Sequence, residues 1–216
     1  MSLAAKICGL SSEAAVAAAV EGGAAYIGFV FYPPSPRAVM PPRAGALCAS
    51  VPPGIRLVGL FVDADDAAIG AVLDAAPIDL LQFHGRETPA RIAEVKARFQ
   101  RPVMKAIAVA DPEDVKVAAR YEEIADMLLF DAKPPRRADA LPGGNGLVFD
   151  WQLIAGHRWR LPWMLSGGLT AALLPEAVRI SGAGAVDVSS GVERRPGDKD
   201  PDKIRDFLAA ARACTG

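Results

Sequence analysis

A chain of 216 residues, 51% hydrophobic and 23% charged, has the makeup of an ordinary globular protein, and one domain over residues 1–216 is expected. Lys and Arg total 24 against 25 Asp and Glu, a formal net charge of -1 without any basic block, which removes the electrostatic case for nucleic acid. No apolar run approaches the roughly 20 residues of a membrane-spanning helix, and the apolar part of MSLAAKICGL is too short for a signal peptide, so a cytoplasmic protein acting on a small molecule is expected.

Short β-type runs alternate with Ala-rich helical stretches along the whole chain. Strands are predicted at 4–8 (AAKIC), 25–30 (AYIGFV), 56–62 (RLVGLFV), 78–83 (IDLLQF), 102–107 (PVMKAI), 126–131 (DMLLFD), 162–166 (PWMLS) and 185–190 (AVDVSS). Helix formers fill 11–21, 64–75, 88–99, 111–121, 150–155, 171–181 and 201–213, with a weaker stretch near 41–50 where prolines and Gly45 intervene. Ser11-Ser12-Glu13, Thr88-Pro89, Asp111-Pro112 and Asp200-Pro201 each set a capping side chain before a first turn, and Pro suits the first helical position. Eight strands with helical connections predict an α/β fold with a parallel sheet. Closure as a single-domain (β/α)8 TIM barrel is favoured over an open doubly wound sheet, because no G-x-G-x-x-G follows the first strand. The one long connection, 132–148, is rich in Pro, Arg and Gly, and a loop of that length is usually functional or mobile.

In a parallel barrel the site lies at the C-terminal ends of the strands. Polar residues gather at those positions: Cys8, Arg37 in YPPSPR, Asp63, Gln82 and His84, Asp131, Ser166, and Ser189 with Ser190. Strand alternation puts Lys6 and Cys8 on one face, directed into the barrel if Ala5 and Ile7 pack on helices. A cation beside the thiol would lower its pKa from the ordinary value of about 8.5; the plainer reading of Cys8 is a small buried core residue. Asp131 closes the apolar run MLLF, where apolar walls would raise a carboxyl pKa to suit a general acid, unless the side chain only caps its loop. Asp63 and Asp126 are lesser candidates for that role, and Asp63-Ala64-Asp65 could equally start a helix.

Three glycine loops stand out: GGNG with Gly144 and Gly146, SGG with Gly167 and Gly168, and SSG with Gly191. The last two follow the seventh and eighth strands, where barrels often hold phosphate on backbone N–H groups. Arg37 could fork onto a carboxylate or lie solvated in its loop. Cys8, Cys48 and Cys214 are widely spaced and only His84 and His157 supply imidazoles, which argues against a disulfide framework and a zinc site.

The stretches KICGL (6–10), SPR (35–37), LVGLFVD (57–63), LLQFHG (80–85), LFDA (129–132), GGNG (143–146) followed by FDW, LSGGL (165–169) and VDVSSGVE (186–193) with PGDKD (196–200) resemble the phosphoribosylanthranilate isomerase family, in order and over nearly the whole chain. The resemblance implies an Amadori rearrangement in tryptophan biosynthesis that needs no metal and no organic cofactor. It casts Asp131 as the acid that opens the ribose ring and Cys8 as the base that takes the C2 proton. Arg37 would bind the anthranilate carboxylate, and Gly144, Gly168, Ser189 and Ser190 the phosphate. His84, Gly146, Ser166, Gly167 and Gly191 complete the expected substrate-binding set. Two departures are visible. Asn145 stands where the family more often has Thr or Ser, so its amide is expected to replace a hydroxyl donor, and no lysine stands beside Arg37. The sister Amadori barrel of histidine biosynthesis would carry aspartate in place of Cys8, and a non-catalytic sugar-phosphate-binding barrel is the other alternative. Monomer and homodimer are both compatible with the sequence.

Overall fold

The computed structural model describes residues 3–135 and 141–214. Eight parallel strands close into a barrel in sequence order: β1 Ala4–Cys8, β2 Tyr26–Val30, β3 Arg56–Phe61, β4 Leu80–Phe83, β5 Val103–Val109, β6 Met127–Ala132, β7 Trp163–Leu165 and β8 Ala185–Val188. The seam between β8 and β1 sets Lys6 opposite Asp187, while Cys8 faces Gly28 across β2. That register brings the ends of the first, second and eighth strands to one point.

Among the described residues, seven helices surround the barrel: α1 Glu13–Glu21, α2 Pro41–Cys48, α3 Asp66–Ala75, α4 Pro89–Phe99, α5 Pro112–Lys116, α6 Leu174–Ser181 and α7 Pro201–Ala213. The anticipated caps are in place. Ser12, Thr88, Asp111 and Asp200 accept from the amides of Ala15, Arg91, Asp114 and Asp202, each such bond being worth about 1 kcal/mol. Asp65 does the same for α3, so the Asp63-Ala64-Asp65 segment does start a helix. In α2 the prolines fall in the first turn, where a missing N–H costs nothing, and the weak stretch is helical after all.

Two helical expectations shrink. The 111–121 stretch divides into α5 and a 3₁₀ turn at Val117–Arg120, and 150–155 becomes a single 3₁₀ turn at Trp151–Leu153 capped by Asp150. An antiparallel hairpin, β9 Glu193–Arg195 with β10 Asp198–Lys199, stands between β8 and α7 where none was expected. Its strands are too short and too polar to show a period. Of the long 132–148 connection, residues 136–140 lie outside the described residues.

Side-chain alternation decides what the barrel holds. Ala5 and Ile7 pack with Phe29, Phe61 and Phe83 in the core between strands and helices. Inward-facing Val58, Leu80, Met104, Leu129 and Met164 fill the interior at one level, and Cys8, Val30 and Leu60 form a smaller cluster apart from them. Each fully buried aliphatic side chain in such layers stabilises the fold by about 1.5–3 kcal/mol. Among the described residues, no helix is long and apolar enough to cross a membrane.

Candidate active site

Twelve residues proposed from the sequence for catalysis or binding line one pocket at the strands' C-terminal ends: Cys8, Arg37, His84, Asp131, Gly144, Gly146, Ser166, Gly167, Gly168, Ser189, Ser190 and Gly191. Asp63 and Asp126 do not. Asp63 accepts from the Arg86 amide at 2.7 Å, and Asp126 accepts from the Val103 amide at 2.8 Å at the far end of β5. Both carboxylates hold backbone donors away from the pocket that Asp131 lines.

Cys8 and Lys6 do point inward together, as strand parity requires. Lys6 Nζ and Cys8 Sγ lie 3.0 and 3.1 Å from the position a β-carbon on Gly28 would take, so any side chain at that strand position would press on both groups. Lys6 is fully buried and donates to Asp187 Oδ1 at 3.0 Å, and the second oxygen of Asp187 accepts from Ser166 Oγ at 3.0 Å. The cation does act on the thiol as expected, without outweighing burial. Burial pushes the Cys8 thiol up, Lys6 pulls it back, and Asp187 pushes it up again, for a net rise. The ammonium that would favour the thiolate is already shared with a carboxylate.

Asp131 is buried at the end of β6, yet its walls are polar rather than apolar. Oδ2 lies 3.0 Å from His84 Nε2, and Oδ1 accepts from the Ala132 amide at 2.9 Å. His84 Nδ1 in turn lies 3.1 Å from Gln82 Nε2. One hydrogen bond therefore joins imidazole and carboxyl.

The loop that carries His84 is held from beneath by charges that sequence reading missed. Lys105 donates to the carbonyls of Phe83 and Gly85 at 3.2 and 2.8 Å and to Glu87 Oε2 at 3.1 Å. Glu87 accepts from the amides of Asp63 and Gly85, and Tyr121 Oη donates to its carbonyl. Burial pushes the Lys105 ammonium down against the pull of Glu87. A lysine inside the apolar run PVMKAI was the available signal, since a buried cation requires a buried partner.

Arg37 is 4% exposed, so it is no solvated loop arginine, and its fork closes on an internal carboxylate. Nε and Nη2 donate to Glu193 Oε1 and Oε2, both at 2.8 Å, and Nη2 also reaches the Gly144 carbonyl at 3.1 Å. Glu193 accepts from Lys199 Nζ at 2.8 Å as well.

Backbone donors converge on the other edge of the pocket. Gly167 and Gly168 have φ of 91° and 60°, and a β-carbon on Gly168 would sit 2.7 Å from the Leu147 carbonyl oxygen. The amides of Gly167, Gly168 and Ser189 have no hydrogen-bond acceptor among the described residues. Ser189 Oγ accepts from Lys199 Nζ at 3.0 Å, which leaves its own proton to donate. Asn145 lines the same pocket, and one N–H of its amide donates to the Leu141 carbonyl at 2.8 Å within its own loop, leaving the second as a donor.

The family model described as N-(5'phosphoribosyl)anthranilate (PRA) isomerase matches residues 5–210. The N-(5'-phosphoribosyl)anthranilate isomerase of Paracoccus denitrificans is 58% identical over 213 residues, covering 99% of this chain and 99% of that protein. The crystal structure of phosphoribosyl anthranilate isomerase from Thermotoga maritima superposes with a TM-score of 0.87 at 35% identity, over 98% of this chain and 99% of the other. A structure of such an enzyme in complex with reduced 1-(o-carboxyphenylamino)-1-deoxyribulose 5-phosphate gives a TM-score of 0.84 at 33% identity, over 98% and 99% of the two chains.

Proposed function

The chain belongs to the N-(5'-phosphoribosyl)anthranilate isomerase family and is an isomerase of tryptophan biosynthesis, and we propose that Asp131 and Cys8 carry its two proton transfers. The substrate is N-(5'-phosphoribosyl)anthranilate, an aminoaldose phosphate. Asp131 gives its proton to the ribose ring oxygen as the C1–O bond breaks, and the anilino nitrogen lone pair forms the iminium. Cys8, as thiolate, then removes the C2 proton. The electron pair of that C–H bond gives the enolamine, which tautomerises to the 1-(o-carboxyphenylamino)-1-deoxyribulose 5-phosphate ketone. Proton transfers alone close this sequence, so no cofactor enters it.

One observation carries the reading: a buried acid from β6 and a buried thiol from β1 enter the same pocket, between Arg37 on one side and unpaired glycine amides on the other. The order of steps follows from electrostatics. Burial makes the thiolate the disfavoured form of Cys8, and the iminium created by ring opening supplies the positive charge that favours the fraction already ionised. Acid action therefore precedes base action. Each well-placed acid or base contributes about 10²–10⁴-fold in rate. Arg37 takes the anthranilate carboxylate, while the Gly167-Gly168 and Ser189-Ser190-Gly191 turns, with Gly144 and Gly146, take the phosphate; His84 and Ser166 border the reacting atoms. The enzyme works in the cytoplasm, where Cys8, Cys48 and Cys214, unpaired here, stay reduced.

The test is direct. Purified protein is incubated with freshly generated phosphoribosylanthranilate, and the ketose is followed by chromatography beside a Cys8→Ala control. Product from the wild type and none from the variant supports the reaction and the base. No product from well-folded wild type overturns both.

A further inference from the structure

We propose that Glu193 is a positioning residue that couples the two anion-binding ends of the pocket through a buried chain of charges. The chain runs Arg37, Glu193, Lys199, Ser189. Glu193 Oε1 accepts from Arg37 Nε and from Lys199 Nζ, each at 2.8 Å, and Oε2 accepts from Arg37 Nη2 at 2.8 Å. Lys199 Nζ continues to the Ser189 carbonyl at 2.8 Å and its hydroxyl at 3.0 Å. Because Arg37 Nη2 also holds the Gly144 carbonyl, one carboxylate ties the loops after β2, β6 and β8 together.

Three features set this chain apart from an ordinary surface staple. All three charged side chains are at most 5% exposed, so each has lost its hydration and depends on the others. Two cations share one anion, which leaves a single surplus positive charge beneath a pocket meant for an anionic ligand. Burial works against the Glu193 carboxylate, but Arg37 and Lys199 outweigh it and hold its pKa below the ordinary range. The β9–β10 hairpin explains how Lys199 arrives there. Its turn at Gly197, with φ of 85°, sends the chain back so that Lys199 lies under the Ser189 turn.

The geometry also dictates what Arg37 can offer. With Nε and Nη2 committed to Glu193, Nη1 is the edge left for a ligand, and it lies 2.6 Å from where a β-carbon on Gly144 would sit. Removing Glu193 frees the guanidinium to rotate, and the same removal lets Lys199 swing away from Ser189. Both anchors loosen together, although they serve opposite ends of the ligand.

The inference rests on the proposed reaction for the identity of the two ends, carboxylate and phosphate. It is tested with separate probes, anthranilate and inorganic phosphate, whose binding is measured by calorimetry beside kcat and KM. Glu193→Gln should weaken both probes about tenfold or more, the value of a hydrogen bond to a charged group. It should also raise KM by a larger factor than it lowers kcat. Lys199→Met should weaken phosphate by a similar factor and anthranilate less. A natively folded Glu193→Gln protein that weakens one probe only, weakens neither, or lowers kcat with KM unmoved would overturn the coupling. Should Glu193→Gln not fold, Lys199→Met decides: loss of phosphate affinity together with a smaller loss for anthranilate supports the chain, and unchanged affinities sink it. Wild type that binds both probes without rearranging phosphoribosylanthranilate would sink the reaction and leave the coupling standing.

Discussion

His84 Nε2 lies 3.0 Å from Asp131 Oδ2, so the acid on β6 is aimed by a side chain from the end of β4, two strands away in the barrel. The Gln82 amide and the His84 backbone bond to Phe61, at 2.9 Å, hold the imidazole in turn. Asp131→Asn keeps the shape and removes the proton, and turnover should fall by about 10²–10⁴-fold. His84→Ala leaves the acid present but loosely aimed, so kcat should fall less, by about tenfold. Steady-state kinetics on the two variants checks the order. An Asp131→Asn enzyme with wild-type turnover would end the assignment.

Cys8 should show its raised thiol in its reactivity. Burial pushes the thiol above the ordinary range while only the thiolate reacts, so the rate at which Cys8 is alkylated should climb with pH and level off only above that range. Lys6 is the group that pulls the thiol back down, and Lys6→Met should move the limb to still higher pH. Profiles of alkylation rate against pH for both proteins decide it. A limb that shifts downward in Lys6→Met would contradict the assigned electrostatics.

Gly168 is required twice over, by its φ of 60° and by the Leu147 carbonyl 2.7 Å from any added β-carbon. Gly168→Ala should displace the turn and its amide, raising KM about tenfold and lowering the melting temperature by several degrees. Phosphate affinity measured on the variant provides the check. An unchanged KM would mean that this turn does not hold the phosphate.

Stability should also respond to pH through a cysteine outside the site. Burial and Asp79 push the Cys48 thiol up to about 11, whereas an unfolded chain releases that proton near 8.5. A folded pKa above the unfolded one contributes stability that is complete below about pH 8.5 and lost as pH rises toward 11. Urea midpoints at about pH 8 and about pH 10.5 should therefore drop for wild type and drop less for Cys48→Ala. Equal declines in the two proteins would refute it.

Much of the architecture was legible because its causes are local. Strand and helix periods, capping side chains before α1, α4, α5 and α7, and glycine turns after β7 and β8 arise from neighbours in the chain. Parity along β1 was enough to send Lys6 and Cys8 inward, and the position of Asp131 at a strand end was enough to put it in the pocket. The failures share a different cause. Asp150 caps only a 3₁₀ turn, because Trp151–Leu153 leads at once into an irregular segment, a fact no propensity records.

What the sequence determined by itself is the barrel, and the carboxyl group, thiol and glycine turns gathered at the C-terminal ends of its strands, since each follows from a pattern within a few residues. Only the tertiary structure decided how those groups are charged and aimed. Arg37 meets Glu193 across 156 positions and Lys6 meets Asp187 across 181, and neither ion pair leaves a mark in the local pattern. Both pairs turn on burial, which makes each charge depend on one distant partner. The thiol beside that lysine is raised, because burial in the closed barrel outweighs the pull of Lys6 and Asp187 adds to the rise.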